Sequence, residues 1–287
     1  MHKRILGFII ILLLVVPCWA FDTYHSPFPG ITDEDEWVDF ENSIVKVETF
    51  GAAKGVLPSV AMGKTKVGSG LFEMAGSGFV VKGNYIITAA HVVMPDAVKI
   101  KTEEHVFWIV PILNVIWKKI IVDDYLEVEV VWVDVRTDLA VLKPLFKEHT
   151  LKPLPFPMGS RLLKAGDATS VMAKEMKEDG FGSWWELRQG KVISPYPDSP
   201  VPVPGTMRDI YQAALETTDV TISNKLYPGD SGSPLIAYDN GQPVIIGVVT
   251  KMMFVRVGPD DFIVYYYAAR IDQAARVIYS LLEEENK

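Results

Sequence analysis

Pro228-Gly229-Asp230-Ser231-Gly232-Ser233-Pro234 sets one serine between two glycines. A nucleophilic serine needs an exposed hydroxyl and, close by, backbone N–H groups aimed where an oxyanion forms. A glycine two residues before the serine allows the tight backbone that turns those N–H groups inward. Alone, the segment is equally compatible with an ordinary turn. A serine hydroxyl is a weak nucleophile and needs a base, normally a histidine oriented by a carboxylate. Of the five histidines, His91 ends the run Ile86-Ile87-Thr88-Ala89-Ala90-His91-Val92-Val93. There a β-pattern stops at small residues, which sets the ring at a strand end over a cleft. Asp138 opens a second apolar strand in Thr137-Asp138-Leu139-Ala140-Val141-Leu142. Taken singly, His91 reads as a structural histidine and Asp138 as a turn cap.

Around these segments the chain is written in short β-branched runs broken by Gly, Pro, Asn and Asp. Ser43–Thr49, Gly78–Val81, Tyr85–Thr88, Val128–Val133, Leu139–Leu142, Gly190–Ser194 and Val244–Thr250 are examples. One helix is expected over Ile271–Glu284, where Ile271, Ala274, Ala275, Ile278, Leu281 and Leu282 recur at helical spacing. The body is therefore expected to be all-β with a C-terminal helix. Two stretches stand apart. Val106–Val122 is too apolar for a free loop and reads either as a long hairpin packed on its own barrel or as a surface for homo-oligomer or membrane contact. Lys174–Glu186 mixes charge, glycine and Trp184-Trp185 and reads as a long surface loop.

The three motifs together resemble the chymotrypsin-like serine protease family, and more closely its bacterial HtrA/Deg-type branch. Gly76-Ser77-Gly78-Phe79 leading to Thr88-Ala89-Ala90-His91, then Thr137-Asp138-Leu139, then Gly229-Asp230-Ser231-Gly232 carry the resemblance, in that order along the chain. It extends from about Ser43 to Leu282. It implies two six-stranded antiparallel β-barrels, over 44–147 and 148–268, closed by a helix in 269–287. It also implies roles: His91 as base, Asp138 as its orienter, Ser231 as nucleophile, and the N–H groups of Gly229 and Ser231 as oxyanion hole. Thr250-Lys251-Met252 would pair substrate backbone as an added strand. The implied activity is serine endopeptidase on polypeptide substrates, with no cofactor and no metal, in envelope protein quality control. Two other readings stay open. One is a latent or inactive protease-fold binding or chaperone-like protein; the other is ester hydrolysis by the same triad.

The chain departs from that branch at three places. Asp230 stands where Asn is usual, and with no activation start of the animal type it is expected to find an internal partner. Ser223-Asn224-Lys225-Leu226-Tyr227 reads as an insertion at the wall of the specificity pocket, with Lys225 facing solvent. Ser233 replaces the commoner glycine. Ending at Lys287, the chain leaves no room for the PDZ domain that many of these proteins carry.

Composition removes competitors. The 287 residues hold 28 Lys+Arg against 36 Asp+Glu, a net charge of −8, which argues against nucleic-acid binding through phosphates. The single cysteine, Cys18, excludes a disulfide scaffold and a multi-cysteine zinc site. No histidine follows His149, so the order required of an α/β-hydrolase is absent, and no H-E-x-x-H exists. Gly63-Lys64-Thr65 lacks the first glycine of a phosphate loop, since Pro58 stands there. His2, Lys3 and Arg4, the apolar run Ile5–Val16 and Ala20 read as a secretory signal, residues 1–20, cut after Ala20. The run is too short for a membrane span, and Pro17 disfavours acylation at Cys18. An acidic lead-in, 21–43, follows. Export without disulfides points to a bacterial periplasmic or extracellular protein.

Overall fold

The structure, a computed structural model, describes residues 42–57, 66–101, 107–159, 164, 166–176, 183–194, 219–222, 224, 226–256 and 262–285. Residues 1–20, the acidic run 33–36 and Lys225 lie outside the described residues. The first lobe contains β1 (Ile44–Leu57), β2 (Lys66–Val81), β3 (Tyr85–Ala89), β4 (Ala97–Lys101), β5 (Phe107–Val122), β6 (Leu126–Asp134) and β7 (Leu139–Pro144). They pair antiparallel in the order β1-β2-β3-β7-β6-β5-β4. The sheet curls so that β5 returns to β1, from Val47↔Val122 to Gly55↔Ile112.

Six strands thus follow one another around the lobe, and β4 is a seventh beyond the expected six. It has room because β1, β2 and β5 are 14, 16 and 16 residues long, well over the usual strand of about five or six. Their outer halves run past the lobe and enclose β4, which pairs with β5 and meets β2 at Leu71↔Lys99. This outer tube has a core of its own in Ala53, Leu57, Phe72, Val98, Ile100 and Val110. Within the stretch 106–122, Phe107–Val122 is therefore one strand shared between two cores rather than a hairpin by itself; Val106 lies outside the described residues. Val110 enters the tube and Ile120 and Val122 the lobe, while Ile109, Leu113, Ile116 and Trp117 stay exposed.

The second lobe is a closed barrel of six strands. They are β8 (Ala168–Met176), β9 (Ser183–Ser194), β10 (Asp219–Ile222), β11 (Pro234–Asp239), β12 (Gln242–Arg256) and β13 (Phe262–Arg270), in the order β10-β13-β12-β11-β8-β9. β8 and β9 stay in register from Ala168↔Lys191 to Met176↔Ser183. Lys174–Glu186, expected as a loop, is thus largely a strand pair; its charges hid the β-propensity of Trp184 and Trp185.

Two short apolar cores fill the lobes, and a third joins them. β3 is buried along its whole length, because its two faces serve different cores: Ile86 and Ala89 point into the first lobe, Tyr85 and Ile87 into the joint. That explains a continuous apolar run where a half-buried strand would alternate. The joint collects Ile44, Phe79, Leu139 and Val141 from the first lobe with Met172, Ile236, Ile245 and Val248 from the second. Helix α2 (Asp272–Glu285) caps it with Ala274 and Ile278. Each of the Ile, Leu, Val, Phe and Met side chains among them contributes about 1.5–3 kcal/mol of burial. At the end of α2, Glu285 accepts from Tyr85 Oη at 3.0 Å and Lys143 Nζ at 2.5 Å. Those two bonds hold the Glu285 carboxyl below its ordinary value, and the Lys143 ammonium is raised in turn. Tyr85 is raised by burial and then by its bond to Glu285. Among the described residues no helix is long and apolar enough to cross a membrane.

Candidate active site

β3 ends in a single helical turn, α1 (Ala90–Val93). The turn is held by one residue of the loop before β7. Ala90 N–H donates to the Asp138 carbonyl at 3.0 Å, and His91 N–H donates to Asp138 Oδ1 at 2.9 Å. The His91 ring lies with Nδ1 2.8 Å from Asp138 Oδ2. A carboxylate only accepts, so Nδ1 carries the proton, an arrangement that in the neutral imidazole leaves the lone pair on Nε2. Asp138 itself sits at φ +56°, a left-handed conformation uncommon outside glycine. These three bonds over-determine it, as strained residues at functional sites require.

The serine turn comes from the second lobe, between the 226–230 segment and β11. Its backbone polar groups can be followed one by one. The Gly229 carbonyl accepts from Ser77 Oγ at 2.9 Å. Asp230 N–H donates to the Tyr227 carbonyl at 3.1 Å, and the Asp230 carbonyl accepts from Ser233 N–H at 2.9 Å. The Ser231 carbonyl accepts from Ser77 N–H at 2.7 Å, and Gly232 N–H donates to Val249 at 2.7 Å. Among the described residues two donors of this stretch have no acceptor, the N–H groups of Gly229 and Ser231. Gly229 and Gly232 sit at φ +101° and +98°, which glycine alone adopts without strain. From Gly229 to Ser233, every backbone N–H but those two therefore has an acceptor among the described residues.

The two lobes meet here. A Cβ placed on Gly76 would come within 2.6 Å of Val92, the neighbour of His91, and 2.7 Å of the Ser231 carbonyl. The Ser231 hydroxyl donates to the Thr250 carbonyl at 3.2 Å and makes no hydrogen bond to His91 among the described residues. Thr250 is buried and falls at a register shift of β12 against β13, between Val249 and Lys251. The β11–β12 ladder stops at Pro234↔Val248, and among the described residues β12 from Lys251 onward pairs with β13 alone. Lys251 lies opposite Tyr267, with its Nζ 5.6 Å from the ring centroid, and Met252 lies opposite Tyr266. The three residues expected to receive substrate, Thr250, Lys251 and Met252, lie along this stretch of β12.

Asp230 finds its internal partner in Arg188 on β9. The guanidinium Nη1 meets Asp230 Oδ2, with side chains 6% and 4% exposed. Arg188 also lies over the Tyr227 ring, 4.6 Å to its centroid, and Tyr227 N–H donates to the same Asp230 oxygen. Asn224, fully buried, accepts from Thr169 Oγ1 at 2.7 Å and donates to the Arg188 carbonyl at 2.7 Å. Sequence reasoning missed Arg188 and Asn224. Nothing marks an arginine inside a strand run as buried, except that an internal Asp230 needs a cation from somewhere. Ser233 Oγ is buried and has no partner among the described residues. The described residues hold no cluster of His, Cys, Asp and Glu arranged for a metal ion.

A closed β-barrel and a second curled sheet share one core, with the Ser231 turn carried by the former and the His91–Asp138 pair by the latter, the layout of a two-lobed serine peptidase. The chain belongs to the trypsin-like peptidase family, whose domain model matches residues 76–248. Among solved structures it is similar to the Rv3671c protease of M. tuberculosis in its active form. That match has 21% identity, covers 88% of this chain and 86% of that one, and has a TM-score of 0.45. No curated protein sequence matches significantly.

Proposed function

We propose that this serine peptidase is an exported endopeptidase that cleaves polypeptides through His91, Asp138 and Ser231. The observation that carries the reading is the serine turn, where only the N–H groups of Gly229 and Ser231 are left to receive an anion. In the proposed cycle Ser231 Oγ attacks a peptide carbonyl while His91 Nε2 takes its proton. The carbonyl oxygen becomes an anion between the two free N–H groups. Asp138 holds the proton on Nδ1 and stabilises the imidazolium. His91 then gives its proton to the leaving amine, and water releases the acyl group by the same steps in reverse. Substrate backbone extends β12 along Thr250-Lys251-Met252. Export rests on the sequence of residues 1–20, and an envelope quality-control role on the resemblance of the motifs.

A second reading is favoured by one specific contact. With the Ser231 hydroxyl donated to Thr250 rather than to His91, the resting site is latent until the serine turns about its Cα–Cβ bond. Labelling purified residues 21–287 with a serine-reactive phosphonate, beside Ser231→Ala, separates the two. Modification at Ser231 alone establishes an assembled triad. A folded protein that stays unlabelled points to latency, and return of labelling on adding a candidate polypeptide would locate the trigger.

A further inference from the structure

Ser77 makes three hydrogen bonds from one buried position, and two of them join the first lobe to the serine turn of the second. It is 1% exposed, on β2 of the first lobe. Its hydroxyl donates to the Gly229 carbonyl and its N–H to the Ser231 carbonyl, at 2.9 and 2.7 Å. Its own carbonyl accepts from Thr88 Oγ1 at 2.7 Å, which ties it to the strand that leads into His91. The space around it is closed: a Cβ on Gly232 would lie 1.8 Å from the Ser77 carbonyl oxygen.

The two acceptors are the carbonyls of the residues whose N–H groups are free. A peptide plane is rigid, so fixing the Gly229 carbonyl fixes the plane it shares with Asp230 N–H, whose other end is held by Tyr227. Fixing the Ser231 carbonyl does the same two planes further on, with Gly232 N–H held by Val249. Between these two clamped planes the Ser231 N–H has one direction left, and the Gly229 N–H is set by the glycine dihedrals next to the first clamp. The backbone N–H clamp survives any substitution of Ser77 except proline. The hydroxyl clamp does not.

We propose that Ser77 is a positioning residue for the oxyanion site, its hydroxyl holding the Gly229–Asp230 peptide so that the neighbouring N–H groups face the reacting carbonyl. It touches no substrate, and its effect passes through the turn. The idea rests on the proposed triad and deepens it. Two consequences follow. The nucleophile's lobe acquires its oxyanion geometry only when docked on the lobe that carries His91. And a change at Ser77 acts on the tetrahedral state, not on ground-state binding.

A fluorescent diphenyl phosphonate tests this, because its inactivation rate constant (kinact) reports formation of an adduct whose oxygen sits in the oxyanion site, while its KI reports prior binding. Ser77→Ala is expected to lower kinact about tenfold to a hundredfold with KI unchanged. That is less than the roughly 10²–10³ for deleting a donor outright, since here donors are misaimed and not removed. Ser77→Cys, nearly isosteric with a weaker donor, falls between and carries the test should the alanine variant not fold. Ile278→Val, in the core between the lobes, is the comparison for lost stability alone and keeps wild-type kinact. An unchanged kinact in a folded Ser77 variant, or a rise in KI at constant kinact, overturns the proposal. Absence of labelling in the folded wild type would instead count against an assembled triad, the latent reading above, and is told apart from a failure at Ser77 because it precedes any substitution.

Discussion

Arg188→Met removes the cation from a carboxylate that stays 3% exposed, one residue before the nucleophile. Both side chains of the pair are at least nine-tenths shielded from solvent, so water cannot replace the lost charge. Breaking a buried pair by removing one partner typically costs about 3–5 kcal/mol, whereas removing both can be nearly neutral. The Tyr227 ring also loses the guanidinium stacked on it, a further ~1 kcal/mol or so. In a protein of this size each kcal/mol moves the unfolding midpoint by roughly 2–4 °C, so the two losses together give a drop of roughly 8–24 °C. Thermal unfolding by circular dichroism at neutral pH measures it. The double variant Arg188→Met/Asp230→Asn should recover most of the loss, because no uncompensated charge remains. It should still label slowly with phosphonate, since Asp230 no longer anchors the turn. Equal destabilisation of single and double variants would refute the argument, for the cost would then lie in packing. So would a single-variant drop within 2 °C.

Other substitutions separate space from conformation. Gly232→Ala puts a methyl against the Ser77 carbonyl at 1.8 Å and should abolish phosphonate labelling. Gly229→Ala has nothing within 4 Å of the new methyl and pays only for its positive φ, about 1–2 kcal/mol; it should fold and label slowly, as mass spectrometry of the adduct would tell. Ser233→Ala deletes a buried hydroxyl without a partner and should raise stability by up to ~1 kcal/mol in denaturant titration. Glu285→Gln tests the clasp on Tyr85 and Lys143. A carboxyl depressed in the folded state contributes stability at neutral pH, lost as pH falls through and below the ordinary carboxylate range. With both partners about 40% exposed, solvent screening limits this to under ~1 kcal/mol. Melting curves of the two proteins should therefore differ at pH 7 and converge near pH 3.

The β-character, the C-terminal helix and the three site segments were legible because each is local: a period of two, a period of 3.6, and short runs with glycine or small residues at strand ends. Ser231 and His91 needed each other to be read as chemistry, and their order along the chain supplied that. β4 was not legible, since Ala97–Lys101 is short and draws its stability from overlong neighbours. Nor was the strand pairing of Lys174–Glu186, where charge outweighed two tryptophans. Arg188 and Asn224 take their meaning from burial opposite residues tens of positions away, which no local pattern carries. The motif Gly76-Ser77-Gly78 was visible as a match, but the serine's work became apparent only from the carbonyls it holds.

The core between the lobes has a bearing on how the chain is made. Ile44 opens the first strand and Ile278 sits in the last helix, yet they belong to one cluster. Neither lobe can finish its inner face until nearly all of the chain has been synthesised, and contacts of such long sequence separation form slowly. For that interval β3 offers apolar residues on both sides. A nascent chain in this condition is itself the kind of unfolded polypeptide on which a peptidase acts. Because the oxyanion turn is braced from the other lobe, catalytic competence would come with the closing of this core and not before, which spares the growing chains from one another.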